Sequence, residues 1–322
     1  MGIKRLNKYL LDINSVKIYN INDYFINYQN SVIAIDVLLY THKYKFSCDN
    51  IYLAFINQII KFLQNKIIPL YVIDGKAPLE KQKSINHRLN KKNKINDKIE
   101  FLKNQLNDDN ANIELIKKKI QKLMKSNIII DSNLINNLIN LFNIFNVPYI
   151  RATGEADVLI SDLYKKNIIS LCLSEDTDLL TFGCKKIIKI YKKQIYEYDL
   201  DLILKNMNIN YNQFIEICIL LGCDYLQSNL KLNVFDIIKS YKNNTIFQNL
   251  SDKYIQKFNN TKNIYTQKIL DDYYIHINID YININELIIF IKNYCSDTHY
   301  NKYKYQISFI NSLIKNNKFS YQ

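Results

Sequence analysis

The chain has 322 residues, 48% of them hydrophobic, and its 43 Lys plus Arg against 30 Asp plus Glu leave a formal charge of +13. That is enough chain for one elaborated domain or two, and the positive balance points to a polyanionic partner such as nucleic acid, the alternative being a basic surface that only aids solubility. No apolar run reaches the ~18 residues of a membrane span, and MGIKRLNKYLL has neither the apolar core of a secretory signal nor a Ser or Thr at Leu6 for myristoylation, so a soluble protein is expected.

In chain order, SVIAIDVLLY (31–40) is a β-branched apolar run expected to end as a strand near Asp36, and IIPLYVIDGKAP (67–78) repeats the plan with Asp74. Between them, DNIYLAFINQIIKFLQN has helical spacing of apolar residues. Strand, helix, strand implies a right-handed crossover and an α/β fold with a largely parallel sheet. Sites in such sheets form beyond the carboxyl ends of the strands, so both aspartates are aimed at one place. Residues 80–126 then change character: charged, free of Gly and Pro, with sparse apolar positions at helical spacing. They read as long exposed helices inserted between core elements, suited to a partner helix or, with Lys and Arg concentrated before Asp97, to nucleic acid.

The core resumes with SNLINNLINLFNIFNVPYI, an amphipathic helix running toward a strand. Gly154 and Glu155 open a further helix, GEADVLISDLYKKN, and the strand IISLCL delivers Glu175, Asp176 and Asp178. YNQFIEICILLGCDYL is an apolar helix ending at Gly222, with Asp224 just beyond. The remainder, 227–322, is rich in Tyr, Asn and Lys with helical patches such as NINELIIFIKNYC, a helical extension of the same body. The six cysteines lack CxxC spacing, and Cys172, Cys218 and Cys223 lie in apolar surroundings, so they are expected to be reduced and buried.

Asn, Ile, Lys and Tyr are over-used in the manner of an AT-rich coding sequence, which makes the scarce residues informative. Of five glycines, Gly75, Gly154, Gly183 and Gly222 lie within a few residues of a carboxylate that follows an apolar stretch. The acidic residues at element ends are Asp36, Asp74, Glu155, Asp157, Asp176, Asp178 and Asp224. Singly, each has a plain explanation: Glu155 and Asp157 complement a helix N-terminus, Asp176 and Asp178 form turns, and Asp224 follows a helix end. Together, seven converging carboxylates repel one another unless hard divalent cations compensate them, and an oxygen-only donor set suits Mg²⁺ or Mn²⁺.

The blocks MGIK, AIDVLLY, PLYVIDGKAPLEK, VPYIRATGEADVLISDLYKK, LSEDTDLLTFG and FIEICILLGCDYL resemble, in order and spacing, the flap endonuclease family of structure-specific 5′ nucleases, continuously over 1–226 and loosely beyond. The resemblance implies a PIN-like 5′ nuclease core over 1–226 with a helical arch or clamp at 80–130, and a helical region at 227–322 carrying a divergent helix-turn-helix. It implies a two-metal-ion phosphodiesterase acting on flap, nicked or branched DNA in replication, recombination or repair. Two Mg²⁺ ions, replaceable by Mn²⁺, would be held by Asp36, Asp74, Glu155, Asp157, Asp176, Asp178 and Asp224. Lys81 and Arg88, seven residues apart and so on one helical face, match the basic residues that face the scissile phosphate. Arg88 is one of only three arginines. Lys91 and Lys92 follow as DNA contacts on what is expected to be an exposed face.

Two positions depart from the family pattern. Where a Gly-hydrophobe-Gly turn would grip duplex backbone around a monovalent cation, the chain reads Lys231, Leu232, Asn233, so lysine charge, including Lys239, is expected to carry duplex contact. FINSLIKNNKFSYQ contains no sliding-clamp motif. Composition and compact length are also similar to the flap-endonuclease-like proteins of poxviruses and other large DNA viruses, which would place the chain in the host cytoplasm, against the nucleus for a cellular protein. A Holliday-junction resolvase or 5′ exonuclease on the same core, and a non-catalytic scaffold for branched DNA, are the competing readings.

Overall fold

The computed structural model describes residues 2–107, 113–127, 130–228, 230, 232–267, 275, 277, 279–295 and 297–315. Its centre is a seven-stranded sheet: β1 (Val16–Asn20), β2 (Val32–Asp36), β3 (Ile68–Ile73), β4 (Tyr149–Arg151), β5 (Leu171–Leu173), β6 (Lys186–Tyr191) and β7 (Gln194–Asp199), in the order β1-β7-β6-β5-β2-β3-β4. The strands from β6 to β4 are parallel; β7 and β1 are added antiparallel at one edge. β2 and β3 are buried at every position, as expected of parallel strands covered on both faces, which is why they read as unbroken apolar runs. The expected α/β fold with a largely parallel sheet is observed. The antiparallel edge was not legible, because β1, β6 and β7 mix charged residues and Tyr with Ile and lack a clean alternation.

Helix Ile51–Gln64, capped by Asn50 Oδ1 on Leu53 N at 3.1 Å, supplies the crossover between β2 and β3. Helix Ser132–Ile144 is capped by Asp131 and stacks the Phe142 ring on Tyr71 at 4.0 Å, a contact that seats it on β3. The C-terminal helices return to this core. Helix Ile284–Tyr294 lays Phe290 and Tyr294 against Tyr52, and helix Asp297–Lys315 sends the Tyr303 hydroxyl to Asn57.

The charged segment forms two helices as expected, Gln82–Asn104 and Ile113–Ser126. They share a small apolar cluster of their own, Ile99, Leu102, Ile116 and Ile120, separate from the main core. At about 1.5–3 kcal/mol per buried side chain this arch has far less apolar burial to hold it than the body has, and is the part expected to open first. Cys172, Cys218 and Cys223 are buried free thiols. Among the described residues no helix is long and apolar enough to cross a membrane.

Candidate active site

The parallel register sets the stage. Ile35 of β2 lies opposite Tyr71 of β3 and Leu173 of β5, so the three strands end level and the loops after them open on one side of the sheet. Asp36 is the last residue of β2 and the N-cap of helix Val37–Ser47, its Oδ1 accepting from Leu39 N at 3.0 Å. Asp74 follows β3, and its Oδ1 accepts from Ala156 N at 2.7 Å, tying it to the start of helix Ala156–Lys165. Asp176 and Asp178 sit in a tight turn beyond β5: Ser174 Oγ accepts from Asp176 N at 3.0 Å, and Asp176 Oδ1 from Asp178 N at 2.9 Å. The turn-forming reading of this pair is therefore correct as local geometry, and it is what aims the second carboxylate inward.

Glu155 occupies the N-cap position of helix Ala156–Lys165 but makes no side-chain cap. Its carboxylate turns instead to the Lys81 ammonium and accepts from the Tyr225 hydroxyl. Asp224, three residues past the end of helix Tyr211–Leu221, accepts from Arg88 Nη2 at 2.7 and 2.6 Å and lies 3.4 Å from Lys81 Nζ. Lys81 closes the short turn Leu79–Lys81 and Arg88 stands two helical turns further on, so both cations of the arch base bear on the same acidic residue.

Electrostatics follow from burial. Asp36, pushed up to about 7, is raised first by loss of water and then by the charge of Asp74. Asp74, Asp157, Asp176 and Asp178 are likewise held above the usual carboxylate range, each by burial first. Asp157 is lifted further by Asp176 and Asp36, and Asp178 by Asp176 and Asp224. Burial pushes Lys81 down, but Glu155 and Asp224 hold it above its ordinary value. Carboxyls that disfavour each other's charge are poised for a cation.

Oδ1 of Asp157 and Oδ1 of Asp178 are buried without any hydrogen-bond partner, an expensive state for an acceptor unless something positive completes it. The donors are all carboxylate oxygens, the chemistry of a hard divalent ion. Among the described residues no three His, Cys, Asp or Glu side chains close on a single point as direct ligands.

Close backbone approach explains two glycines. Gly2 has φ +91°, and a Cβ there would meet Asp176 Oδ1 at 2.4 Å; a Cβ on Gly75 would meet the Ala152 carbonyl at 2.1 Å. Ile3 N, next to Gly2, donates to Thr177 Oγ1 at 3.0 Å, so the MGIK block braces the acidic turn.

All seven expected carboxylates, with Lys81 and Arg88, thus come to one end of the sheet. Further along the arch helix, Lys91 is exposed, whereas Lys92, expected to be exposed, is half-buried, with its carbonyl accepting from Asn127. Lys231 lies outside the described residues. Asn233 does not form a turn of glycine type: at φ −77° it caps helix Val234–Lys242, its Oδ1 accepting from Asp236 N at 2.9 Å, and Lys239 is exposed on that helix. Sequence reasoning missed Tyr225, whose ring also lies 5.9 Å from Lys81 Nζ; adjacency to Asp224 was the available signal.

Residues 1–95 match the family model described as the XPG N-terminal domain and residues 146–224 that of the XPG I-region. Flap endonuclease 1 of Entamoeba histolytica is 32% identical over 206 residues, 61% of this chain and 52% of that protein. Flap endonuclease 1 of Drosophila yakuba is 27% identical over 281 residues, 79% of this chain and 69% of that one. The chain spans about half the length of the first of these relatives. Among solved structures, flap endonuclease-1 from Methanococcus jannaschii superposes with TM-score 0.70 at 18% identity, covering 94% of this chain and 97% of that one. The catalytic core of Rad2 in complex with DNA substrate gives 0.68 at 17%, covering 96% and 100%. Human GEN1 in complex with Holliday junction DNA gives 0.69 at 12%, covering 98% and 79%. At these identities the structural likeness carries the fold.

Proposed function

The chain belongs to the flap endonuclease family, and from that premise we propose that it is a Mg²⁺-dependent, structure-specific DNA nuclease that hydrolyses phosphodiester bonds at flaps or branched DNA in replication, recombination or repair. The observation that supports this most directly is the set of seven carboxylates at the ends of β2, β3 and β5 and of two neighbouring helices, with Lys81 paired to Glu155 and Asp224 and Arg88 to Asp224.

Asp36, Asp74, Asp176, Asp178, Asp157, Glu155 and Asp224 would hold two divalent ions, Mg²⁺ with Mn²⁺ as a substitute. Such ions, when bound, supply the positive charge that makes water nucleophilic near neutral pH and stabilises the leaving oxygen. The residues do the rest. Buried carboxyls held above their ordinary range give up protons as cations enter, so occupancy is coupled to pH. Lys81 and Arg88, parked on Glu155 and Asp224, are freed toward the phosphate once those carboxylates have other counterions, and there offset charge growing on the phosphoryl oxygens. Residues 80–130 act as the arch over the strand to be cut, and 227–322 carry duplex contact through lysine charge, with Lys239 and Lys231 among the contacts and Lys91 and Lys92 on the arch. The scaffold reading is disfavoured because a binding-only protein gains nothing from gathering anions where phosphates approach.

A panel of labelled flap, nicked, gapped, four-way and single-stranded DNA, assayed with Mg²⁺ and with EDTA, tests the assignment. Mg²⁺-dependent cleavage of flap or nicked DNA is expected. Asp176→Asn and Asp178→Asn should abolish cutting while leaving DNA affinity within a few fold. Cutting confined to four-way DNA would instead make the chain a resolvase, and undiminished cutting by a variant free of host nucleases would refute the site.

A further inference from the structure

The connection from β5 to β6 carries Asp176 and Asp178, and its two ends bring a pair of cysteines to one spot. Cys172 is the middle residue of β5. Cys184 stands two residues before β6, turned back toward β5 at Gly183, whose φ of +95° only glycine adopts freely. The two sulfurs lie 2.7 Å apart, and both side chains are fully buried. We propose that Cys172 and Cys184 are a modification site, a dithiol oxidised by peroxide to a disulfide that locks the acidic turn between the two strands.

The resting state is the dithiol, since both cysteines are free. The Cys184 thiol donates weakly to the Lys186 carbonyl at 3.6 Å, which leaves its sulfur turned to Cys172 as an acceptor. From there a closure of about 0.7 Å reaches the ~2.05 Å of an S–S bond, a movement the ends of two hydrogen-bonded strands can supply. With hydrogen peroxide the chemistry balances. One thiol becomes a sulfenic acid with release of water, the second sulfur displaces the hydroxyl as another water, and the two electrons lost by sulfur reduce the peroxide. Burial, then the hydrogen bond with Cys184, hold the Cys172 thiol well above its ordinary range. Little thiolate is therefore present, and oxidation waits on brief local opening, behind that of any exposed thiol.

What the bond would hold is the turn. Two carboxylates sharing one buried turn repel each other, so in the absence of a metal the turn works against itself. It is held by short contacts: Asp178 N on Asp176 Oδ1 at 2.9 Å, Ile3 N on Thr177 Oγ1 at 3.0 Å, and Cys184 N on the Leu179 carbonyl at 3.0 Å. A disulfide across a separation of 12 residues removes opened conformations that those contacts permit. The lock needs only the fold, and holds whether or not the chain cuts DNA.

Trypsin cuts after Lys166 and Lys185 and so leaves both cysteines in one peptide, 167–185. The full chain in EDTA is treated with hydrogen peroxide, quenched with catalase, alkylated in guanidinium and mapped by mass spectrometry. That peptide is expected to lose two hydrogens and resist alkylation, and to regain both thiols on reduction. The thermal midpoint of the oxidised chain should rise by roughly 6 °C, and amide exchange over 174–183 should slow roughly tenfold, both reversed by reductant. Cys184→Ala should lose all three responses, and if it does not fold, the peptide of the parent decides. Two alkylatable thiols in that peptide after the exposed Cys48 is fully oxidised, or separate sulfinic acids at the two positions, would overturn the site. A disulfide that changes neither the midpoint nor the exchange of the turn would overturn the lock.

Discussion

Lys81→Met removes the ammonium at the centre of the acidic cluster and keeps most of the stem that packs beneath it. In the parent, Lys81 and Glu155 are 17% and 8% exposed, a largely dehydrated pair, and Asp224 lies 3.4 Å from the same nitrogen. Stripping one partner from a buried pair costs about 3–5 kcal/mol, because the other charge is left unpaired. Glu155 still accepts from Tyr225, so the lower end applies, about 3 kcal/mol. At roughly 2 °C per kcal/mol for a chain of this size, the midpoint should fall by roughly 6 °C in EDTA. In Mg²⁺ the outcome should differ. An ion that binds only the folded state contributes about 2.7 kcal/mol at a hundredfold excess over its dissociation constant. Without the competing ammonium the variant should bind it more tightly than the parent, recovering most of the loss. Thermal unfolding followed by circular dichroism, in EDTA and across a MgCl₂ titration, reads both effects. If the midpoint falls equally in EDTA and in saturating Mg²⁺, the carboxylates and Lys81 are an ordinary structural ion pair and the exchange of ammonium for metal is wrong.

Asp36, Asp74, Asp157, Asp176 and Asp178 bind protons in the folded chain that the unfolded chain has already released, so metal-free stability should fall as pH rises from ~4 to about 7. Asp36→Asn, which retains a helix-capping oxygen, should flatten that slope, as should Mg²⁺ with the parent; midpoints measured from pH 4.5 to 7.5 on the three samples would show a single steep slope if burial were not the cause. Arg88→Ala should slow single-turnover cleavage by ~10²-fold or more, in the manner of a lost electrostatic stabiliser, whereas Lys91→Ala, exposed on the same helix, should change it only slightly; equal small effects would return Arg88 to a solvated helix face. With Asn233 committed to a helix cap and the Leu232 carbonyl accepting from Arg5, exchanging K⁺ for Na⁺ at fixed ionic strength should leave duplex affinity nearly unchanged while total salt weakens it steeply, and a specific K⁺ requirement in the same titration would contradict this.

The carboxylates were legible in the sequence because their placement is a local matter. An apolar run long enough to be a buried strand announces its own end, and Asp36, Asp74, Asp176 and Asp178 stand at such ends; a helix opening at Glu155 and one closing at Gly222 are equally local signals. Scarce glycine helped at Gly75, beside Asp74, where close backbone leaves no room for a Cβ, although Gly154 has room for one. The arch was legible for the same reason, being a long segment with helical period and no core face. What the sequence did not disclose lies across large separations. Lys81 reaches Glu155 over 74 residues, Arg88 reaches Asp224 over 136, and β1 finds β7 through a register that no single strand specifies. Tyr225 gained meaning only when the arch base brought Lys81 to Glu155, beside its hydroxyl and ring. Periodicity and turn chemistry act over one or two turns of chain and so could be read from the letters. Charge neutralisation and desolvation act through space, and only packing brings the charges close enough, and dry enough, for either to matter.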